Sequence, residues 1–217
     1  MTRIAFGPNA LIATLALSVA ALAAPLAQAA ELPAYAITGD GTYIGDFPNT
    51  TGFIFTAVQD TSLTALGFHD YQLNGLNLAH DVALYSIGGT LLLQAKVPAG
   101  TVAPLIGEHR YAMLGSAFTL QAGTQYVVAA HTDSTDGYRF ANVPPATLTV
   151  IPGISIGAQA GVYNYGPGLA FPQFSAGYDL YATPNMLLAA AVPEPGTWAL
   201  MFAGLAAVAS LAHRRRA

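Results

Sequence analysis

The chain has 217 residues, 53% of them apolar, with seven Lys and Arg against eleven Asp and Glu. Between residues 30 and 191 only Lys96, Arg110 and Arg139 oppose ten acids running from Glu31 to Asp179, a balance that argues against nucleic acid or anionic lipid as a partner. Cysteine is absent, which excludes disulfides, thiol chemistry and cysteine-based zinc sites and leaves burial as the source of stability.

The start of the chain reads as a secretory signal. Arg3 and the terminal amine give a weakly positive start, 10–24 is mostly apolar, Pro25 interrupts it, and Ala27-Gln28-Ala29 supplies the small-x-small pattern read by signal peptidase. Cleavage is expected after Ala29, making residues 1–29 a signal helix that is removed. An uncleaved N-terminal anchor is the competing reading and would place the middle of the chain on the same side. Residues 30–191 then have the length of one ordinary domain with room for a real core.

The periodicity of that domain is β throughout. In 90–97, Leu91, Leu93, Ala95 and Val97 fall on one side while Leu92, Gln94 and Lys96 fall on the other. The run 82–87 precedes it across Gly88-Gly89, a pair that suits a tight hairpin because glycine reaches positive φ at no steric cost. Runs 52–58 and 63–71, separated by Gln59-Asp60-Thr61-Ser62, predict a second adjacent pair. Runs 110–114, 118–121 and 125–131 follow, the last two joined across Ala122-Gly123-Thr124. No segment holds a helical period over ten residues, so the expected fold is all-β, a two-sheet antiparallel β-sandwich of jelly-roll-like form. Its core should include Phe53, Phe55, Leu66, Leu84, Leu91, Leu93, Tyr126 and Val128.

Candidate chemistry is thin. Gly153-Ile154-Ser155-Ile156-Gly157 fits the spacing of a hydrolase nucleophile elbow, with Asp179 as an acid, but that motif needs a strand-to-helix turn, and the only later histidine is His213 beside the arginines. Asp133-Ser134-Thr135-Asp136-Gly137 resembles a calcium loop at first sight, yet an EF-hand register ends at Val143 where a bidentate Glu is required, so a turn is the plainer reading. His69, His80, His109 and His131 lack the spacing that would place two on one metal, and the neighbours His69-Asp70 and His80-Asp81 would point to opposite faces of a strand. Glu108 is the only glutamate between Glu31 and Glu194, so a glycosidase would have to recruit Asp70, Asp81 or Asp179. The expected set is therefore no catalytic group, no cofactor and no metal.

Stretch 161–181 differs in texture, with Tyr163, Tyr165, Phe171, Phe174, Tyr178 and Tyr181 set among Gly and Pro. Flat aromatics on a β-surface can cover the apolar faces of sugar rings, while Tyr hydroxyls and Asn164, Gln173 or Asp179 bond the rim. Tyr163, Tyr165 and Asn164 are thus candidates for glycan contact. The alternative is that the rings pack the end of the domain beneath a Gly/Pro-rich loop.

The last segment, 192–217, has three components in order: Pro193, Glu194 and Pro195; an apolar run at 198–212; and Arg214, Arg215 and Arg216. The prolines fix φ and remove amide donors, which predicts an extended, accessible linker. Fifteen apolar residues rise about 22 Å as a helix, short of a bilayer core of roughly 30 Å, so Trp198 and the snorkelling arginines would complete the span. Arginines directly after it favour the cytoplasm and place everything earlier across the inner membrane. This order resembles the PEP-CTERM sorting signal of Gram-negative bacteria, with Gly196 where serine is common. The resemblance implies recognition by the membrane-embedded protease exosortase, loss of the tail after a transient stay in the membrane, and passage to the cell surface or extracellular matrix. A permanent C-terminal anchor is the competing reading.

Residues 52–131 also resemble the uncharacterised β-sandwich ectodomains that often precede such signals, through Gly52-Phe53-Ile54-Phe55-Thr56, Ala65-Leu66-Gly67, the run His80 to Tyr85, and Leu120 to Tyr126. That likeness implies a fold and a location without an activity. Two function classes follow: a non-enzymatic envelope or matrix protein associated with exopolysaccharide in a biofilm-like setting, or a secreted hydrolase acting on matrix polysaccharide.

Overall fold

The computed structural model describes residues 30–39, 43–44, 48–133, 135–139, 147–177 and 180–189, together with 201–202 and 204–205 of the tail. Residues 30–191 form one compact unit. The expected signal helix, with Ala27 and Ala29, lies outside the described residues, as do Pro193, Glu194, Pro195, Trp198 and Arg214 to Arg216. The four described tail residues are helical, and no helix among the described residues is long and apolar enough to cross a membrane.

The domain is all-β and every strand pairing is antiparallel. A five-stranded sheet runs in the order β1 (Glu31–Pro33), β16 (Pro184–Ala189), β5 (Thr61–His69), β9 (His109–Leu120) and β8 (Leu105–Ile106). A seven-stranded sheet runs β15 (Phe174–Ser175), β14 (Gly161–Tyr165), β4 (Asn49–Ala57), β10 (Gln125–Thr132), β6 (His80–Ser86) and β7 (Leu91–Val97), with β13 (Ile154–Ser155) also on β4. Two small ladders join β2 (Tyr35–Thr38) to β12 (Thr147–Val150) and β3 (Tyr43–Ile44) to β11 (Tyr138–Arg139).

Alternation along the strands builds one core from both large sheets. Phe53, Phe55, Val82, Leu84, Tyr126 and Val128 from the seven-stranded sheet join Leu63, Leu66, Phe68, Leu120, Met186 and Leu188 from the five-stranded sheet in a single cluster. The intervening residues Ala83, Tyr85, Val127, Ala129 and Val162 form a second cluster on the other face of the seven-stranded sheet. Loop 166–173 covers that face, with Phe171 edge-on to Tyr85 at 5.5 Å. Gly52 in mid-β4 allows the close approach of β10, since a Cβ there would collide with the carbonyl oxygen of Val128.

The hairpin across Gly88-Gly89 is present: Gly89 has φ +86°, and its N–H donates to the Ser86 carbonyl at 2.9 Å. Two other expected pairs are not. Runs 52–58 and 63–71 become β4 and β5, and runs 118–121 and 125–131 become the end of β9 and β10. In both cases the partners sit in different sheets. The short links cross between sheets side by side, tied by the Asp60 carboxylate accepting from the Ala122 N–H at 2.8 Å and by Gly123 N–H donating to the Ala57 carbonyl at 2.7 Å. Runs 110–114 and 118–121 both belong to strand β9, whose register against β5 shifts between Leu63 and Ala65.

Six of the eight expected core residues are buried, but Leu91 is 50% exposed and Leu93 only partly buried. The reason is position: β7 is the edge of its sheet.

Candidate functional site

The exposed aromatic cluster is built on the opposite edge of that sheet. Tyr163 and Tyr165 share a face of β14, and Phe174 on β15 is the cross-strand partner of Tyr163. Ring centroids lie 5.1 Å apart for Tyr163 and Tyr165 and 5.5 Å apart for Tyr163 and Phe174. Buried Tyr181 stands behind Tyr163 at 6.3 Å, while Tyr165 is 69% and Phe174 48% exposed. Desolvation, then the neighbouring Tyr165, push the Tyr163 hydroxyl above its ordinary range, so it stays protonated at neutral pH. Asn164 belongs to the other face of β14, with Val162, and so does not join the two tyrosines. Phe171, on loop 166–173, packs instead on the other face of the sheet against Tyr85. Tyr178 and Asp179 lie outside the described residues.

The buried polar groups form separate networks. Asp136 accepts from the backbone N–H of Asn77 and Leu78, from the Asn77 side chain, and from His80 Nε2 at 2.8 Å. Burial by itself would raise its carboxyl, but the bonds from His80, Asn77 and Leu78 outweigh it and hold the group below the ordinary carboxylate range. His80 Nδ1 faces the His131 carbonyl at 3.1 Å, so the ring bridges the Asp136 carboxylate and the β10 backbone. The ring also stacks on Phe68, with centroids 3.7 Å apart. Asp136 therefore anchors loop 74–79 and is more than a turn residue. Both of its oxygens are filled by protein donors.

Asp70 has the same role in an adjoining loop. Its carboxylate accepts from Arg110 Nε at 2.7 Å and from the Gly75 N–H, and Arg110 Nη1 donates to the carbonyls of Thr101 and Ala103. Asp81 pairs instead with Lys96 across the β6–β7 ladder. Asp70 and Asp81 thus each pair with a cation of a neighbouring strand.

His69 and His109 are register partners across β5 and β9, with rings 5.5 Å apart, a juxtaposition that sequence distance conceals. The Tyr35 hydroxyl donates to the Pro184 carbonyl at 2.8 Å and so accepts from His109 Nε2 at 3.1 Å. Asn185 donates to the Tyr35 carbonyl at 3.0 Å and approaches His109 Nδ1. The neutral Nε2–H tautomer fits all of these contacts. Glu108 comes within 4.0 Å of His69. The adjoining cleft, lined by Pro33, Ile37 and Ile106 among others, holds about 80 Å³, room for a few waters and too little for a sugar ring.

Ser155 is an exposed residue of β13 paired with Thr56 of β4, so the strand-to-helix turn of a nucleophile elbow is missing there. His213 lies outside the described residues. No group of three His, Cys, Asp or Glu among the described residues is placed to hold a metal.

Comparison with known proteins assigns both the tail and the domain. No curated protein matches the chain. Residues 191–216 match the PEP-CTERM protein-sorting motif, which marks the chain for export, a transient stay in the membrane, and processing by exosortase. Residues 39–182 match the model described as Domain of unknown function (DUF4082), and at two thirds of its length the chain belongs to that family.

Proposed function

We propose that the mature protein is a non-enzymatic component of the cell surface or extracellular matrix, retained there by contact between its aromatic edge and exopolysaccharide. The observation that carries this reading is the aromatic cluster at a sheet edge, where half-buried Tyr163 joins the exposed rings of Tyr165 and Phe174. The two large sheets are read as a jelly-roll-like sandwich spanning 30–191, preceded by the signal peptide 1–29 and followed by the sorting segment 192–217. Pro193, Glu194 and Pro195 would be held at the outer face in a backbone a protease can grip, with Trp198 and Arg214 to Arg216 flanking the span.

The hydrolase reading is less well supported, because Asp70 and Asp136 are saturated by structural bonds and Asp81 is paired with Lys96. Fractionating cells and recovering the protein with purified matrix tests the proposal. Retention that survives Tyr163→Ala together with Tyr165→Ala, in a folded protein, would end it.

A further inference from the structure

We infer that the aromatic edge takes a single soluble chain of neutral sugars and discriminates against crystalline glycan faces and polyanionic chains. The inference rests on the glycan-contact reading and narrows it from two independent observations.

The first is the inclination of the rings. Tyr163 and Phe174 are tilted by 36°, and Tyr165 stands at 72° to Tyr163. A flat crystalline surface can be covered only by coplanar rings, because a ring standing edge-on holds its neighbours away from the plane. The three side chains instead make a corner, with Tyr163 and Phe174 as a shallow floor and Tyr165 as a wall. The ladder between β14 and β15 fixes the floor, and Tyr181 backs it, so the corner is set before any ligand arrives. A pyranose ring can lie its C–H face on the floor while the Tyr165 ring flanks the next sugar.

The second is charge. Residues 30–191 hold three cations. Lys96 is paired with Asp81, and Arg110 is buried against Asp70. Neither of these two stands at the aromatic edge, because β7 is the opposite edge of the sheet from β14 and β15 and β9 belongs to the other sheet, and the acidic surplus of the domain repels a carboxylated or sulfated polymer.

The processed protein, purified from a host with exosortase, can be run in affinity gels containing a mixed-linkage glucan, a galactomannan, a dextran or alginate, and mixed in parallel with crystalline cellulose. Retardation by at least one neutral soluble polymer, weakened about tenfold by Tyr165→Ala and largely kept in Tyr165→Phe, is the expected result. Tyr165 is exposed, so its variants should keep the circular dichroism and melting temperature of the parent. Retention by alginate or crystalline cellulose equal to that by the neutral polymers, and equally dependent on Tyr165, would overturn the selectivity and leave glycan contact standing. Absence of binding to every polymer, or binding indifferent to Tyr163 and Tyr165, would overturn both.

Discussion

Two buried carboxylates, Asp70 and Asp136, take their donors from segments far apart in the chain, and each holds a loop that would otherwise leave backbone N–H groups unsatisfied in the interior. Asp70→Ala would strand the 6%-exposed Arg110, and a loss of about 3–5 kcal/mol in urea unfolding is the expected cost. Asp136 adds a pH dependence. Its folded carboxyl lies below the ordinary 3.8, so its contribution is complete above the unfolded value and disappears as pH falls through the folded one. Stability measured from pH 6 downward should therefore drop below about pH 4, and Asp136→Asn should show a lower plateau with a shallower acid limb. Equal acid limbs would contradict the assignment. At Gly52 the added methyl of Ala has only the β10 backbone to displace, and a penalty of about 1–3 kcal/mol or more is expected from Gly52→Ala.

At the scale of elements, burial separates strands that look alike in sequence. Leu84 in β6 is fully buried, whereas Leu93 in the neighbouring edge strand β7 is only partly covered. Leu84→Ala should cost about 2–5 kcal/mol, and Leu93→Ala clearly less. Matching losses in the two variants would mean that β7 is covered in solution by something other than its neighbours in the domain. The same distinction explains how much of the fold could be read from the chain. Alternation in β4, β6, β7 and β10 predicts strands and most of the core, because side chains alternate by geometry alone. Pairing between consecutive strands is legible only where a two-residue glycine turn enforces it, as at Gly88-Gly89. The links 58–60 and 121–124 are short enough for hairpins yet cross between sheets, and nothing local distinguishes the two outcomes.

For the molecule as a whole, targeting and domain are separable problems. Replacing Pro193, Glu194 and Pro195 by Ala removes the residues that bar helix formation at the sorting motif, and the expected outcome is uncut precursor in the membrane of an exosortase host, read by the mass of the C-terminal peptide. Normal processing of that variant, or a mature protein still carrying Trp198 and Arg216, would leave a permanent anchor as the explanation.

The sequence by itself determined the export and sorting character of this chain and the β nature of its domain, because an ordered tail of prolines, apolar residues and arginines acts through composition and position, and strand alternation acts through local backbone geometry. Only the tertiary structure decided that His69 meets His109, that Arg110 meets Asp70, and that Phe174 joins Tyr163. Those outcomes depend on the register between paired strands, and a one-residue slip would give each of these residues a different partner.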